Sequence, residues 1–153
     1  MLQVNIESAR FNMIEQQIRP WEVLEQRILD LISDVPREDF VPMAYRNLAF
    51  ADINIPLAHD QTMMSPKLEG RLLQTLNISA KDTVLEIGTG SGYLTALLAK
   101  LAKHVDSVDI FDDFIKEATT KLKAFHNISL YTGDASEIFK EAYQRVSGLS
   151  RTV

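Results

Sequence analysis

The residues best suited to chemistry form one short run, Glu86-Ile87-Gly88-Thr89-Gly90-Ser91-Gly92, in a chain of 153 residues. Three alternating glycines let a backbone turn sharply and approach a ligand closely. The N-terminus of a following helix adds unpaired N–H donors at the positive end of its dipole. A plain strand-to-helix turn needs fewer glycines. Two cofactor classes use such loops. The dinucleotide fingerprint is G-x-G-x-x-G/A, whose third small residue lets helix and strand pack closely. Counted from Gly88, that place is held by Tyr93. The run reads instead E-x-G-x-G-x-G, which makes Glu86, Gly88, Gly90 and Gly92 candidate ligand-binding positions. Two carboxylates fall at matching places. Asp109 closes a β-rich run about 20 residues after Gly88, where it could accept from ribose hydroxyls in either class. Asp134, in Gly133-Asp134-Ala135, lies just past the next such run, and a carboxylate is a pure acceptor.

These residues need elements that bring them to one place. From about residue 81 the pattern alternates: strands at Thr83–Ile87, Val105–Ile110 and Ile128–Thr132, and helices at Ser91–Lys103, Asp112–Phe125 and Glu137–Val146. Strands separated by helices of this length imply right-handed βαβ units and a parallel sheet, so the fold class is α/β. Ligands bind such sheets at the C-terminal ends of the strands, which is where the loop, Asp109 and Asp134 fall. Before residue 80 the signals are helical. Leu24, Ile28, Leu31 and Val35 share one helix face that stops at Pro36, and a short helix is expected around Arg37–Leu48, interrupted by Pro42. Residues 49–64 read as loop or short strand. Ser65-Pro66 reads as N-cap and first residue of a helix that buries Leu68, Leu72, Leu73 and Leu76. The expected division is a helical extension over 1–80 and a ligand-binding βαβαβ part over 81–153.

Composition narrows the classes. Apolar residues make up 46% and charged residues 24%, with a formal net charge of −5. A mildly acidic chain without basic runs is a poor match to nucleic acid or to an anionic membrane. There is no cysteine, so disulfides, thiolate metal sites and cysteine nucleophiles are excluded, and no metal centre is expected. The N-terminal residues lack the basic start and apolar region of a secretory signal, and no stretch reaches the roughly 18 apolar residues of a membrane span. The reading is a cytoplasmic protein.

The E-x-G-x-G-x-G loop resembles motif I of the Rossmann-like S-adenosylmethionine-dependent methyltransferases. Residues Phe11 to about Ser136 are similar, more narrowly, to the protein-L-isoaspartate O-methyltransferase family. The similarity is carried by Met13-Ile14-Glu15-Gln16-Gln17-Ile18-Arg19, Val35-Pro36-Arg37-Glu38-Asp39-Phe40-Val41-Pro42, Leu48-Ala49-Phe50-Ala51-Asp52, Pro56-Leu57, Gln61-Thr62 and Val84–Tyr93. The resemblance implies S-adenosylmethionine as cofactor, held by Glu86, Gly88, Gly90, Gly92, Asp109, Asp134 and Ala135. It also implies methyl transfer to the carboxylate of an isoaspartyl residue in a damaged protein. A sulfonium methyl is already electrophilic and a carboxylate is ionised at neutral pH, so alignment dominates and no general base is needed. An NAD-dependent oxidoreductase is opposed by Tyr93.

Two departures from the family pattern carry expectations of their own. The family's Q-T-I-S-x-P becomes Gln61-Thr62-Met63-Met64-Ser65-Pro66, which puts Met64 where the family places its active-site serine. Ser65 and Thr62 are then the candidate catalytic hydroxyls, and a non-catalytic cofactor-binding or interaction protein is the alternative. Residues 137–153 show no hydrophobic fourth strand. The expectation is therefore an incomplete sheet of three strands, cut by truncation or a frameshift near residue 137. Thr83–Ile87 would lie at an open edge, inviting a homodimer through that edge.

Overall fold

The computed structural model describes residues 2–138 and 151–153, which fall into two units, Met1–Asn77 and Ile78–Val153. In the first unit, helix α1 (Leu2–Met13) runs into a π-helical turn at Ile14–Ile18 and a 3-10 turn at Arg19–Trp21. Pro20 cannot continue the ladder, and the chain leaves through Glu22 in the left-handed region, φ 62°. Met13, Ile14, Ile18 and Val23 are buried. Helix α2 (Gln26–Asp34) buries Ile28, Leu29, Leu31 and Ile32. It stops because Pro36 pushes Val35 out of helical geometry, to φ −90° and ψ 118°. Leu24, expected on that face, precedes the helix and is 65% exposed. The helix expected around Arg37–Leu48 is two 3-10 turns, Arg37–Asp39 and Met43–Leu48, split by extended Pro42.

Residues 49–64 contain a small hairpin, β1 (Ile55–Pro56) against β2 (Thr62–Met63). Its turn passes through His59 and Asp60, both at positive φ, the backbone a tight I′ turn requires. Helix α3 (Pro66–Leu76) starts at the expected proline and ends on Asn77 at φ 46°. Its buried face is Pro66, Glu69, Gly70 and Leu73. Leu68, expected inside, is 39% exposed. Gly70 permits the close packing: a Cβ there would stand 3.2 Å from Ile18 Cγ2 and 3.4 Å from Ile32 Cδ1.

The second unit is the α/β part. Strands β3 (Thr83–Ile87), β4 (His104–Asp109) and β5 (Ile128–Thr132) alternate with helices α4 (Tyr93–Leu101) and α5 (Asp112–Lys121). All pairings are parallel, with Ile87 opposite Val108 and Asp109 opposite Thr132. Helix α4 buries Ala96, Leu97, Leu98 and Leu101, and α5 buries Phe114, Ile115 and Ala118. This is the Rossmann-like arrangement expected.

The open edge is not there. A two-residue strand, β6 (Arg151–Thr152), pairs parallel with β3, placing Arg151 opposite Val84 and Thr152 opposite Leu85. Val153 accepts from the Ile87 amide at 2.8 Å and donates to the Leu85 carbonyl at 2.7 Å. The strand order is β5-β4-β3-β6, so β3 is internal and the edge expected to join two chains is occupied. The sequence reading missed β6 because two residues carry no periodicity. Residues 135–138 are helical, and the rest of the expected helix Glu137–Val146 lies outside the described residues.

Candidate cofactor site

The strand β3 ends at Ile87, and the chain turns through Gly88, Thr89, Gly90, Ser91 and Gly92 before α4 begins. Gly88, Gly90 and Gly92 have φ of 95°, 53° and 83°, a region that L side chains rarely adopt. A Cβ at Gly88 would meet nothing within 4 Å, so open space lies before it.

The last three residues of β4 each hold this loop. Ser107 Oγ bonds Thr89 Oγ1 at 2.6 Å, and the Val108 carbonyl accepts the Gly88 amide at 2.8 Å. Asp109 Oδ2 accepts the Gly90 amide at 2.9 Å. Asp109 also binds its own exit loop, accepting the Phe111 amide on Oδ1 at 3.0 Å, while its carbonyl accepts the Gly133 amide at 2.9 Å. One nearly buried residue thus ties together the loops leaving β3, β4 and β5.

Asp134 follows Gly133 and is exposed. Its Oδ1 accepts from the Ser136 hydroxyl at 2.6 Å and the Ser136 amide at 2.8 Å, and its carbonyl accepts from Glu137 and Ile138. It therefore caps the helical turn that Ala135 begins. The Ser136 side-chain bond, then the backbone bond, hold its carboxyl below the usual range.

Glu86 points inward. It is 2% exposed, and its Oε1 accepts from Thr95 Oγ1 on α4 and Ser107 Oγ on β4, both at 2.5 Å. Its other oxygen is buried and meets no donor among the described residues. Burial pushes its carboxyl up to about 7, against the lowering effect of the Ser107 and Thr95 bonds and with a smaller raising effect from Asp109.

The candidate hydroxyls of the first unit stand as follows. Thr62 is exposed on β2 opposite Pro56. Ser65 is 4% exposed and occupies the N-cap position of α3, but its side chain makes no capping bond. Its amide instead donates to Asn54 Oδ1 at 3.0 Å. Met64, expected at the family's serine position, is half-buried.

What the sequence reading missed here is Arg37. It is 1% exposed and fans out to three partners: Nε to the Ala49 carbonyl at 2.8 Å, Nη1 to Glu69 Oε1 at 2.5 Å and Nη2 to the Met64 carbonyl at 2.8 Å. It fixes the Met64–Ser65 segment from beneath. The available signal was a glutamate beside a glycine on the apolar face of α3.

The profile of the protein-L-isoaspartate(D-aspartate) O-methyltransferase family matches residues 8–145. The chain belongs to this family. A protein-L-isoaspartate O-methyltransferase of Klebsiella pneumoniae is 37% identical over 129 residues, covering 83% of this chain and 62% of the relative. One of Cronobacter sakazakii is 39% identical over 127 residues, covering 82% and 61%. The chain thus spans somewhat under two thirds of the length of the relatives it matches. The fold is shared with a Plasmodium falciparum protein assigned to the same family and solved with S-adenosyl-L-homocysteine. That match has a TM-score of 0.73 at 16% identity and covers 92% of this chain and 68% of the other. A second protein-L-isoaspartate O-methyltransferase structure matches with a TM-score of 0.65 at 21% identity, covering 84% and 42%. No helix among the described residues is long and apolar enough to cross a membrane.

Proposed function

We propose that the chain binds S-adenosylmethionine where β3, β4 and β5 end, and serves methyl transfer to the carboxylate of isoaspartyl residues in damaged proteins, a repair reaction. The observation that carries this reading is the convergence of the loops after all three strands on Asp109, with open space before Gly88. The donors and acceptors fit the cofactor. Gly88, Gly90 and Gly92 offer close backbone approach, Asp109 offers a carboxylate for ribose hydroxyls, and Asp134 with Ala135 offers an acceptor for the adenine amine. The cofactor supplies an electrophilic methyl group. The protein's task is to hold the acceptor carboxylate in line with it, for which neither a general base nor a metal is needed. Thr62 and Ser65 are the hydroxyls proposed to orient the acceptor. We place the reaction in the cytoplasm, on the cysteine-free, mildly acidic composition.

A second reading, a cofactor-binding protein without transferase activity, is favoured by Met64, because a thioether cannot replace a hydroxyl donor. Incubation of the chain with an isoaspartyl peptide and methyl-labelled S-adenosylmethionine separates the two. Label in base-labile ester on that peptide, and none on its aspartyl counterpart, is the expected result. Cofactor binding without label transfer would favour the second reading, and absence of both would contradict the first.

A further inference from the structure

Three glycines at positive φ make a loop that is permissive rather than shaped, so something must select one conformation. Two of its fastenings to β4 hold backbone amides of the loop, on the Val108 carbonyl and on the Asp109 carboxylate. The third joins two side chains. Thr89 is 3% exposed, unusual for the tip of a loop, because its hydroxyl reaches Ser107 Oγ. Ser107 has a single hydroxyl proton and gives it to Glu86 Oε1, so Thr89 must be the donor in the Thr89–Ser107 bond. Glu86 Oε1 also accepts from Thr95, in the first turn of α4. The result is a directional chain, Thr89 to Ser107 to Glu86, with Thr95 donating from the other side. It joins the loop to β4, to β3 and to the helix that follows the loop. Every member is at most 3% exposed, so none has water as an alternative partner, and a broken link leaves a buried group unsatisfied.

Resting on the cofactor reading above, we propose that this buried chain sets the shape of the glycine loop, and that Thr89, Ser107 and Glu86 are positioning residues for the cofactor. Glu86 then acts through the loop instead of touching the ligand: both of its oxygens are buried, one of them with no donor among the described residues. The loop enters binding already ordered, and the ligand does not bear the entropy of ordering it.

The test is the affinity of the full chain for S-adenosyl-L-homocysteine by titration calorimetry, with a thermal melt of each variant to confirm folding. Thr89→Val keeps the shape of the side chain and removes the donor; Thr89→Ser keeps the donor; Ser107→Ala removes the acceptor. Thr89→Val should weaken binding about tenfold, the scale of one buried hydrogen bond, and Ser107→Ala, which also loses the donor to Glu86, at least as much. Thr89→Ser should stay within about twofold of the parent. Because both losses break the same link, the double variant should be no weaker than about threefold below the weaker single one. Parent-like binding by Thr89→Val would overturn the proposal, as would a Thr89→Ser variant as weak as Thr89→Val, or penalties that multiply in the double variant. A parent chain that binds no S-adenosyl-L-homocysteine would overturn the cofactor reading itself, which separates that failure from the others.

Discussion

Replacing Glu86 by Gln should remove much of the pH dependence of this protein's stability between pH 5.5 and pH 8. Glu86 is 2% exposed and its carboxyl is pushed from 4.5 up to about 7, chiefly by burial. The folded state therefore holds this proton over a range in which the unfolded chain has released it. Stability from this group is fully present below the unfolded value and is lost as pH rises through the folded one. The whole effect is about 3 kcal/mol at about 1.4 kcal/mol per pH unit, and about 2 kcal/mol of it falls between pH 5.5 and pH 8. Gln presents a carbonyl oxygen to Thr95 and Ser107 without a charge to desolvate. Its amide nitrogen takes the place of the oxygen that meets no donor among the described residues, a penalty that does not vary with pH. Urea unfolding of parent and variant at both pH values reads the difference. Other titrating groups are common to both proteins and cancel. The parent should be about 2 kcal/mol more stable, relative to the variant, at pH 5.5 than at pH 8. Identical slopes in the two proteins would refute the argument that Glu86 is buried and ionises at a cost.

Arg37→Met should cost about 3–5 kcal/mol in chemical denaturation, because it strands Glu69 inside α3; adding Glu69→Gln should recover part of that loss, and an unchanged midpoint for the single variant would contradict the buried pair. Asp134→Ala should weaken S-adenosyl-L-homocysteine about tenfold through the lost acceptor, and should also lower the melting temperature through the lost cap. Calorimetry showing parent affinity would remove Asp134 from the site. Met64→Ser should raise the rate of isoaspartyl methylation more than it changes peptide binding, since it restores a hydroxyl at the family's position; unchanged turnover would point to Ser65 or Thr62 instead.

The second unit was the more legible from sequence because its elements obey simple rules. Thr83–Ile87 and Ile128–Thr132 are bounded as expected, and the strand ending at Asp109 is displaced by one residue from the expected Val105–Ile110. Apolar runs and glycine punctuation suffice there. In the first unit, short-range pattern competes with tertiary packing. The leucines of α3 suggest a face containing Leu68, but Gly70 lets the helix approach Ile18 closely and turns Glu69 inward to meet Arg37. No periodicity announces a buried ion pair between residues 32 apart. The π-helical turn at Ile14–Ile18 and the two-residue β6 carry no local signal either; both depend on what packs beside them. In the loop, the glycines announced themselves, whereas the inward turn of Glu86 depends on Ser107, which the register of β3 against β4 sets opposite it, and on Thr95 of α4.

The proposed cofactor site lies at the ends of β3, β4 and β5, where the loops after β3 and β5 each contribute glycines. The chain has only six glycines, so a spectrum recorded with glycine labelled on its amide nitrogen reads four of the relevant positions directly. On titration with S-adenosyl-L-homocysteine, the amide signals of Gly88, Gly90, Gly92 and Gly133 should move, and that of Gly70, packed against Ile18 in the first unit, should stay in place. Saturable shifts confined to those four would support the site as described. A spectrum that does not change with the ligand, or one in which Gly70 moves while the loop glycines do not, would contradict it.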